Sequence, residues 1–194
     1  MTRLNLSCRC GAVQGHLRET ASRQTGYIVC HCSDCQKFAH YLDAADDTLD
    51  QYGGSDIVQL PLNRMVIEKG LEHLRCLKLS EKGPLRWYAE CCNTPIANTL
   101  GANMPFLSVL GIALKTNGQL QDQLGPVSHY LHCTYAVKPR PEQPQHPAFP
   151  KRVVAGLAFR LLISKLKGEH KPSPLFTDEG RPIQKPIRIQ GDPI

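Results

Sequence analysis

The sequence has no long apolar run and few aromatic side chains. No stretch approaches the roughly 18 consecutive apolar residues that suggest a transmembrane helix, so we expect no membrane-spanning segment. Phe, Trp and Tyr make up only 6% of the 194 residues. Single-stranded nucleic acids are bound by basic residues interleaved with stacking aromatic side chains. This composition therefore does not favour nucleic-acid binding.

The N-terminal residues also lack an apolar run of the length found in signal peptides. We therefore expect a cytoplasmic protein, in which thiols stay reduced. In that setting the nine cysteines of the chain are predicted to be metal ligands or catalytic thiols rather than a disulfide framework. Several cysteines are also only one or two residues apart, a spacing that disulfide geometry rarely allows.

Short alternating or apolar stretches, separated by Gly, Pro and Asn, predict a mainly β fold. The predicted strands and apolar runs are Arg3–Ser7, Ala12–Arg18, Tyr27–Val29, Ile57–Leu62, Met65–Lys69, Leu74–Leu79, Leu85–Tyr88, Phe106–Ala113 and Tyr130–Val137. A Glu-Lys-Gly-Pro turn joins Leu74–Leu79 to Leu85–Tyr88 in a hairpin. Gln36–Ala45 is expected to be a short helix or an irregular loop. Many short strands at close spacing indicate an antiparallel assembly rather than alternating βα units.

The composition changes at Lys138. Residues 139–150 contain five prolines, which predicts a semi-rigid linker. Lys151–Lys167 has apolar residues at helical spacing and basic residues at both ends, which predicts a C-terminal helix. Residues 139–194 carry ten Lys and Arg against five Asp and Glu, whereas residues 1–138 are almost balanced, with 13 against 12. We therefore divide the chain into a domain of residues 1–138 and a tail of residues 139–194.

The strongest chemical signal is the run Cys-His-Cys-Ser-Asp-Cys at residues 30–35. Cys32 and Cys35 form a Cys-x-x-Cys unit, whose two thiolates can converge on one tetrahedral ion, and Cys30 can supply a third. Three protein ligands leave a fourth position open, as at catalytic zinc sites. The alternative is a closed structural site whose fourth ligand comes from elsewhere. The candidates for that ligand are His31, His129 and Cys133.

A second candidate site begins with Cys8 and Cys10, a Cys-x-Cys turn followed by Gly. Such a turn needs further ligands from a distant segment, and Cys91 with Cys92 is the best candidate pair. Adjacent cysteines in a strand point to opposite faces, so binding one ion with both requires a bent backbone. The alternative is that Cys91 is simply a buried thiol. The remaining cysteines, Cys76 and Cys133, lie in apolar runs and are predicted to be core residues.

Taken together, these groups resemble the motifs of the glutathione-dependent formaldehyde-activating enzyme (GFA) family, also called the centromere protein V (CENP-V) family. The matching elements, within residues 4–137, are Cys8-x-Cys10-Gly11, Cys30-His31-Cys32-x-x-Cys35-Gln36 and Cys92-Asn93-Thr94-Pro95. The resemblance implies an Mss4-like β-tent of short antiparallel strands. The sequence departs from the family where Ala89 replaces the first cysteine of a Cys-x-x-Cys-Gly element and Asn93 its glycine.

The resemblance also implies two zinc sites. The residues that match the catalytic zinc ligands are Cys30, Cys32 and Cys35. The residues that match three of the four structural ligands are Cys8, Cys10 and Cys92. Because of Ala89, the second site would need Cys91 as a substitute ligand or would be degenerate. The implied activity is of the carbon-sulfur lyase type, with formaldehyde and glutathione condensing to S-(hydroxymethyl)glutathione. The implied partners are therefore a small glutathione-like thiol and an aldehyde.

Three thiolates around Zn²⁺ leave a net negative site, which disfavours an anionic thiol unless cations lie nearby. The candidate cations are Lys37, Arg9 and Arg86. Asp34 or His31 could relay a proton, since an unperturbed histidine titrates near about pH 6.5. The alternatives are that His31 is a hydrogen-bond donor to a sulfur and that Asp34 is only solvated.

A different class of function is a non-enzymatic, zinc-stabilised binding module whose basic C-terminal helix docks to a partner or a membrane surface. The run Val153–Ile163 is apolar on nearly every face. Burial on the body or in a homodimer is favoured over a membrane surface, because the run is short and lacks a clean polar face.

Overall fold

The structure is a computed structural model that describes residues 3–18, 20, 25–116 and 118–189. Its strands are β1 (Arg3–Ser7), β2 (Gln14–Arg18), β3 (Gly26–Cys30), β4 (Ser55–Leu60), β5 (Met65–Lys69), β6 (Leu74–Lys78), β7 (Leu85–Ala89), β8 (Thr94–Thr99), β9 (Leu107–Leu110), β10 (Leu114–Lys115), β11 (His129–Leu131) and β12 (Ile187–Arg188). Its α-helices are α1 (Ser33–Tyr41), α2 (Ala45–Thr48), α3 (Leu120–Leu124) and α4 (Lys151–Leu166). The prediction of a mainly β fold with a C-terminal helix is confirmed.

The strands form two sheets. The smaller sheet has the order β10-β1-β2-β5, and the larger has the order β11-β3-β4-β9-β8-β7-β6-β12. Neighbouring described strands are antiparallel, except at the two edges of the larger sheet. There β11 runs parallel to β3 and β12 runs parallel to β6.

The main core lies between the two sheets. Leu4 and Leu17 of the smaller sheet belong to one apolar cluster with Trp87 and Ile96 of the larger sheet. In β1 only alternate residues are buried, as expected for a strand with one face on the core.

Strand β3 separates this core from a second apolar cluster. Tyr27 belongs to the main core, whereas Ile28 and Cys30 belong to the second cluster with Leu131 of β11. Because side chains alternate along a strand, Ile28 and Cys30 point to the same face. The end of β3 therefore presents Cys30 away from the main core, just before α1 begins.

Most predicted strands are present, and the hairpin between β6 and β7 is confirmed. The predicted strand Tyr130–Val137 is wrong in its second half. His132 has a left-handed φ of 57°, which ends the strand, and residues Cys133–Tyr135 form a 3-10 helix. Strand β8 was not predicted, because all six of its residues are buried and it shows no alternation.

The tail packs along the body. Leu175 and Phe176 are part of the main core, and the Phe176 ring meets Trp87 edge-on at 5.9 Å between centroids. Glu169 forms an ion pair with Arg64 at 2.8 Å. Residues 190–194 of the predicted tail lie outside the described residues, and the division at residue 138 stays a prediction. Within the described residues, none of the helices combines the length and apolar character that crossing a membrane requires.

Candidate metal centres

Three cysteines meet where β3 gives way to α1. Cys30 is the last residue of β3, Cys32 occupies the N-cap position of α1, and Cys35 lies in the first helical turn. Their sulfur atoms all lie within 4.8 Å of one another. We call these residues the three-cysteine group, and its geometry could hold one metal ion.

The three-cysteine group is largely enclosed by apolar side chains. Cys30 and Cys35 are only 5% and 7% exposed, and Cys32 is half-buried. Ile28, Leu131 and their neighbours in the second apolar cluster surround the sulfurs. Electrostatic interactions are stronger in such low-dielectric surroundings, so any charge placed on these sulfurs must be balanced locally.

The three sulfurs compete for protons. Hydrogen bonding with Cys32 is the main cause that raises the pKa of Cys30, and hydrogen bonding with Cys30 is the main cause that lowers the pKa of Cys32. Negative charge therefore concentrates on Cys32, at the helix N-terminus, where the macrodipole favours it. Ionising a second sulfur beside it requires a cation, because like charges at this distance disfavour each other.

Arg86 of β7 is a buried cation beside this group. Its side chain is 4% exposed, and its Nη2 lies 3.4 Å from Oδ2 of Asp34. The guanidinium also stacks on the ring of Phe38, at 5.4 Å from its centroid. Its positive charge adds to the sulfur hydrogen bonds that lower the pKa of Cys32. The Nε of Arg86 is buried without a hydrogen-bond partner among the described residues. The guanidinium can therefore form a further hydrogen bond to a negatively charged group.

His31 is buried but turns away from the sulfurs. Its Nδ1 donates to the backbone oxygen of Leu131 at 3.2 Å, and its Nε2 accepts a hydrogen bond from Nη1 of Arg140 at 3.2 Å. Burial lowers the pKa of His31, which fits a neutral ring with both nitrogens engaged. Arg140 is itself sandwiched between the rings of Tyr52 and Tyr130. Arg140 lies in the predicted linker, and no local pattern in the sequence predicts that its side chain is buried.

The other candidates for a fourth ligand also lie apart from the sulfurs. His129 contacts His146, with Nδ1 and Nε2 3.1 Å apart. Cys133 is half-buried, so its prediction as a core residue is wrong, whereas Cys76 is buried as predicted. Among the described residues, no fourth His, Cys, Asp or Glu joins the three-cysteine group.

Four other cysteines form a second group between the two sheets. Cys8 and Cys10 lie at the turn between β1 and β2, and Cys91 and Cys92 at the turn between β7 and β8. Their sulfur atoms all lie within 4.8 Å of one another. We call them the four-cysteine group. It also could hold one metal ion, and it includes Cys91, the substitute ligand that Ala89 makes necessary.

The distances within the four-cysteine group fit a tetrahedron of thiolates. Sulfurs bound at about 2.3 Å to one ion lie about 3.8 Å apart in a regular tetrahedron. The Sγ of Cys8 is 3.6 Å from that of Cys10 and 3.9 Å from that of Cys91. The Sγ of Cys91 is 3.3 Å from that of Cys10 and 3.9 Å from that of Cys92.

Two turns make this convergence possible. In the first turn, Gly11 adopts a positive φ of 78° and its N–H donates to the backbone oxygen of Cys8 at 3.1 Å. In the second turn, Asn93 adopts a φ of 54°. The backbone is therefore bent at Cys91 and Cys92, which removes the objection that adjacent cysteines point to opposite faces.

Thr94 connects the two turns. Its hydroxyl accepts a hydrogen bond from the N–H of Arg9 at 3.0 Å and lies 3.0 Å from the Sγ of Cys92. The Arg9 side chain donates to the backbone oxygen of Cys92 at 2.9 Å and pairs with Asp47 at 2.7 Å. Of the candidate cations, Arg9 therefore lies at the four-cysteine group and Arg86 at the three-cysteine group.

Comparison with known proteins identifies a family whose function is unknown. A family model described as "Family of unknown function (DUF6151)" matches residues 1–186. No curated protein matches the sequence. Among solved structures, the chain is similar to the crystal structure of a Rhodobacter sphaeroides protein that was a structural-genomics target. The identity is 17% and the TM-score 0.43, and the match covers 63% of this chain and 96% of that chain.

Proposed function

The chain belongs to DUF6151, a family of unknown function, and from its cysteine geometry we propose a zinc protein with one structural and one catalytic site. On this proposal it is a carbon-sulfur lyase that acts on adducts of a thiol with an aldehyde. The observation that carries the proposal is the unequal size of the two groups, since four sulfurs meet in one and three in the other.

Zinc is the metal that best suits these donors. Closed sets of four cysteines are typical of structural zinc, whereas sites with three protein ligands leave a position for substrate. Soft thiolate ligands select zinc, copper(I) or iron-sulfur clusters over magnesium and calcium. The motif resemblance to the GFA family supports the same assignment of roles, with Cys91 in place of the cysteine missing at position 89.

The three-cysteine group would hold the catalytic zinc through Cys30, Cys32 and Cys35. When bound, zinc favours the thiolate over the thiol of a substrate and so supplies a nucleophile at neutral pH. In the overall reaction a bond forms between this sulfur and the aldehyde carbon. The carbonyl double bond becomes a single bond, and the proton released by the thiol ends on the new hydroxyl.

The chain's own residues balance charge and move the proton. The buried guanidinium of Arg86 offsets part of the negative charge of three thiolates. His31 has both ring nitrogens engaged, so we assign it the role of fixing the end of β3. Asp34 is paired with Arg86 and its side chain is 47% exposed, so it contacts both the buried cation and solvent, and we assign it the role of proton relay.

The proposal is tested by proton NMR of hemithioacetal exchange between glutathione and formaldehyde. We expect the zinc-loaded protein to accelerate exchange above the uncatalysed background, and the metal-stripped protein to give background only. Cys32→Ser should also give background, whereas Cys133→Ser, outside both groups, should keep the acceleration. Equal rates for the zinc-loaded protein and Cys32→Ser would rule out catalysis at this site.

A second candidate function is docking through the outer face of α4. The exposed fractions of Val154, Phe159, Leu162 and Leu166 are 47%, 64%, 56% and 80%, so the described part of the chain leaves one apolar stripe of the helix uncovered. Every charged residue from position 151 to 167 is basic. The sequence favours burial or a homodimer for this helix, but the stripe is exposed and two copies with only basic charges would repel each other. We therefore propose an anionic lipid surface as the partner of this stripe.

Co-sedimentation with vesicles tests this docking. We expect binding to vesicles that contain phosphatidylserine and little binding to pure phosphatidylcholine. Phe159→Ser combined with Leu162→Ser should abolish binding, and Ala45→Ser, on α2, should leave it unchanged. Equal binding to both vesicle types would contradict docking to anionic lipid. A molecular mass that rises with protein concentration, and no longer rises in the double variant, would also contradict it and would indicate a dimer.

A further inference from the structure

A cavity of about 640 Å³ lies between α4 and the edge of the larger sheet. Gly26 and Ile28 of β3 and Leu131 of β11 form its floor, and Val153, Gly156 and Leu157 of α4 cover it. Ligand pockets typically have volumes of about 300–1,000 Å³ and mostly apolar linings. This cavity meets both criteria, and none of the seven cysteines of the metal groups lines it.

Arg160 of α4 places a cation in the wall of this cavity, and none of the described residues forms an ion pair with it. A Cβ added at Gly26 would lie 3.3 Å from Nη1 of Arg160, so the guanidinium reaches the cavity floor. Burial alone lowers the pKa of Arg160, and no described residue gives it an ion pair. A half-buried cation without a counter-charge is costly, and an anionic ligand removes that cost.

His129 of β11 adds a second polar group to the same wall. It lines the cavity together with Arg160, and the pKa of His129 is lowered by burial first, then by the charge of His146, and last by that of Arg160. Arg152, near the N-terminal end of α4, also lines the cavity. The polar groups are positive or hydrogen-bonding, and described acidic residues are absent from the lining.

We propose that this cavity binds an amphipathic organic anion, a carboxylate attached to a hydrocarbon body. The carboxylate pairs with the Arg160 guanidinium, which can donate two parallel hydrogen bonds, and the hydrocarbon body packs on Ile28, Leu131 and Leu157. Because Ile28 and Leu131 also pack around Cys30, the ligand shares a wall with the three-cysteine group. The proposal does not depend on turnover at that group.

Titration calorimetry with decanoate, and with decanol as an uncharged analogue, tests the charge requirement. We expect decanoate to bind the full-length, zinc-loaded protein about tenfold or more tightly than decanol, as a charge-assisted hydrogen bond predicts. Arg160→Gln should remove this preference, and Lys165→Gln, an exposed position on the same helix, should retain it. Equal affinities of decanoate for the protein and Arg160→Gln would overturn the proposal.

A second variant tests the cavity without changing its charge. A Cβ added at Gly156 meets no atom within 4 Å, and glycine is a poor helix former, so Gly156→Leu should fill the cavity and leave α4 folded. We expect Gly156→Leu to abolish decanoate binding and Ala155→Leu, exposed on the same helix, to preserve it. Unchanged binding in Gly156→Leu would place the ligand elsewhere, and absence of binding to the unaltered protein would also refute the proposal.

Discussion

The two cysteine groups differ in what they join. The four-cysteine group brings together a turn of the smaller sheet and a turn of the larger one, more than eighty residues apart in sequence, as in the pair Cys8 and Cys91. The three-cysteine group spans only residues 30–35 and joins a strand to the helix that follows it. Loss of the first group removes a link between sheets, whereas loss of the second disturbs one local junction.

The groups also differ in environment. Cys10 and Cys91 are exposed, and the nearby Arg9 is half exposed. The three-cysteine group lies among apolar side chains with the buried cation Arg86 beside it. A closed ligand set at the surface suits a structural role, and an incomplete set in a low-dielectric pocket suits chemistry on a bound substrate. On the proposed function, cysteine would therefore serve two purposes in this chain, set by the residues that surround each group.

Removal of one ligand from each group should separate these roles most clearly. We expect Cys91→Ser to cost about 4 kcal/mol of folding free energy, because structural zinc binding contributes directly to folding. This corresponds to a fall in Tm of about 8–16 °C for a chain of this size. Cys32→Ser should lower Tm by only about 2–4 °C, equivalent to about 1 kcal/mol.

Thermal unfolding, with zinc content measured on the same samples, checks this difference. Each variant should lose one zinc ion per chain and keep the other. A fall in Tm for Cys32→Ser as large as that for Cys91→Ser would contradict the division between a structural and a catalytic group.

The next effect concerns the cation beside the three-cysteine group. We expect Arg86→Gln to weaken zinc binding there about 10- to 100-fold, the usual effect of removing a group that supports metal ligands. Arg86→Lys keeps the charge and should recover most of the affinity. Competition with a chromophoric chelator measures both sites, and equal weakening of the two sites would show that Arg86 acts through the fold and not on the adjacent sulfurs.

The smallest effect is expected at the four-cysteine group. Arg9 pairs with Asp47 in a half-exposed ion pair, and such pairs contribute about 0.2–1 kcal/mol. Arg9→Gln should therefore shift Tm by no more than about 4 °C and leave zinc content unchanged. Loss of zinc in Arg9→Gln, measured by elemental analysis, would show that the exposed group also depends on a neighbouring cation.

Local patterns allowed much of this fold to be predicted. The hairpin of β6 and β7 follows from alternating side chains around a Gly-Pro turn. The three-cysteine group follows from its spacing, because residues 30–35 can reach one another without help from the rest of the chain. The approach of Cys91 to Cys8 is harder to predict from the sequence, because it depends on the left-handed conformation of Asn93.

Long-range packing could not be predicted from local patterns. The approach of Leu175 and Phe176 to Trp87 depends on the path of a proline-rich segment that has no periodicity. The burial of Arg140 against Tyr52 and Tyr130 depends on the same path. In the same way, Arg160 reaches the cavity only because α4 packs across the sheet edge.

Cadmium NMR of the protein with both sites exchanged to cadmium tests the difference between the two groups most directly. We predict two resonances, one typical of four thiolates and one typical of three thiolates with a lighter donor. Only the second should disappear in Cys32→Ser, and only the second should move when a small thiol is added. Two resonances that both show four-thiolate character and ignore the added thiol would contradict an open position beside Cys30, Cys32 and Cys35.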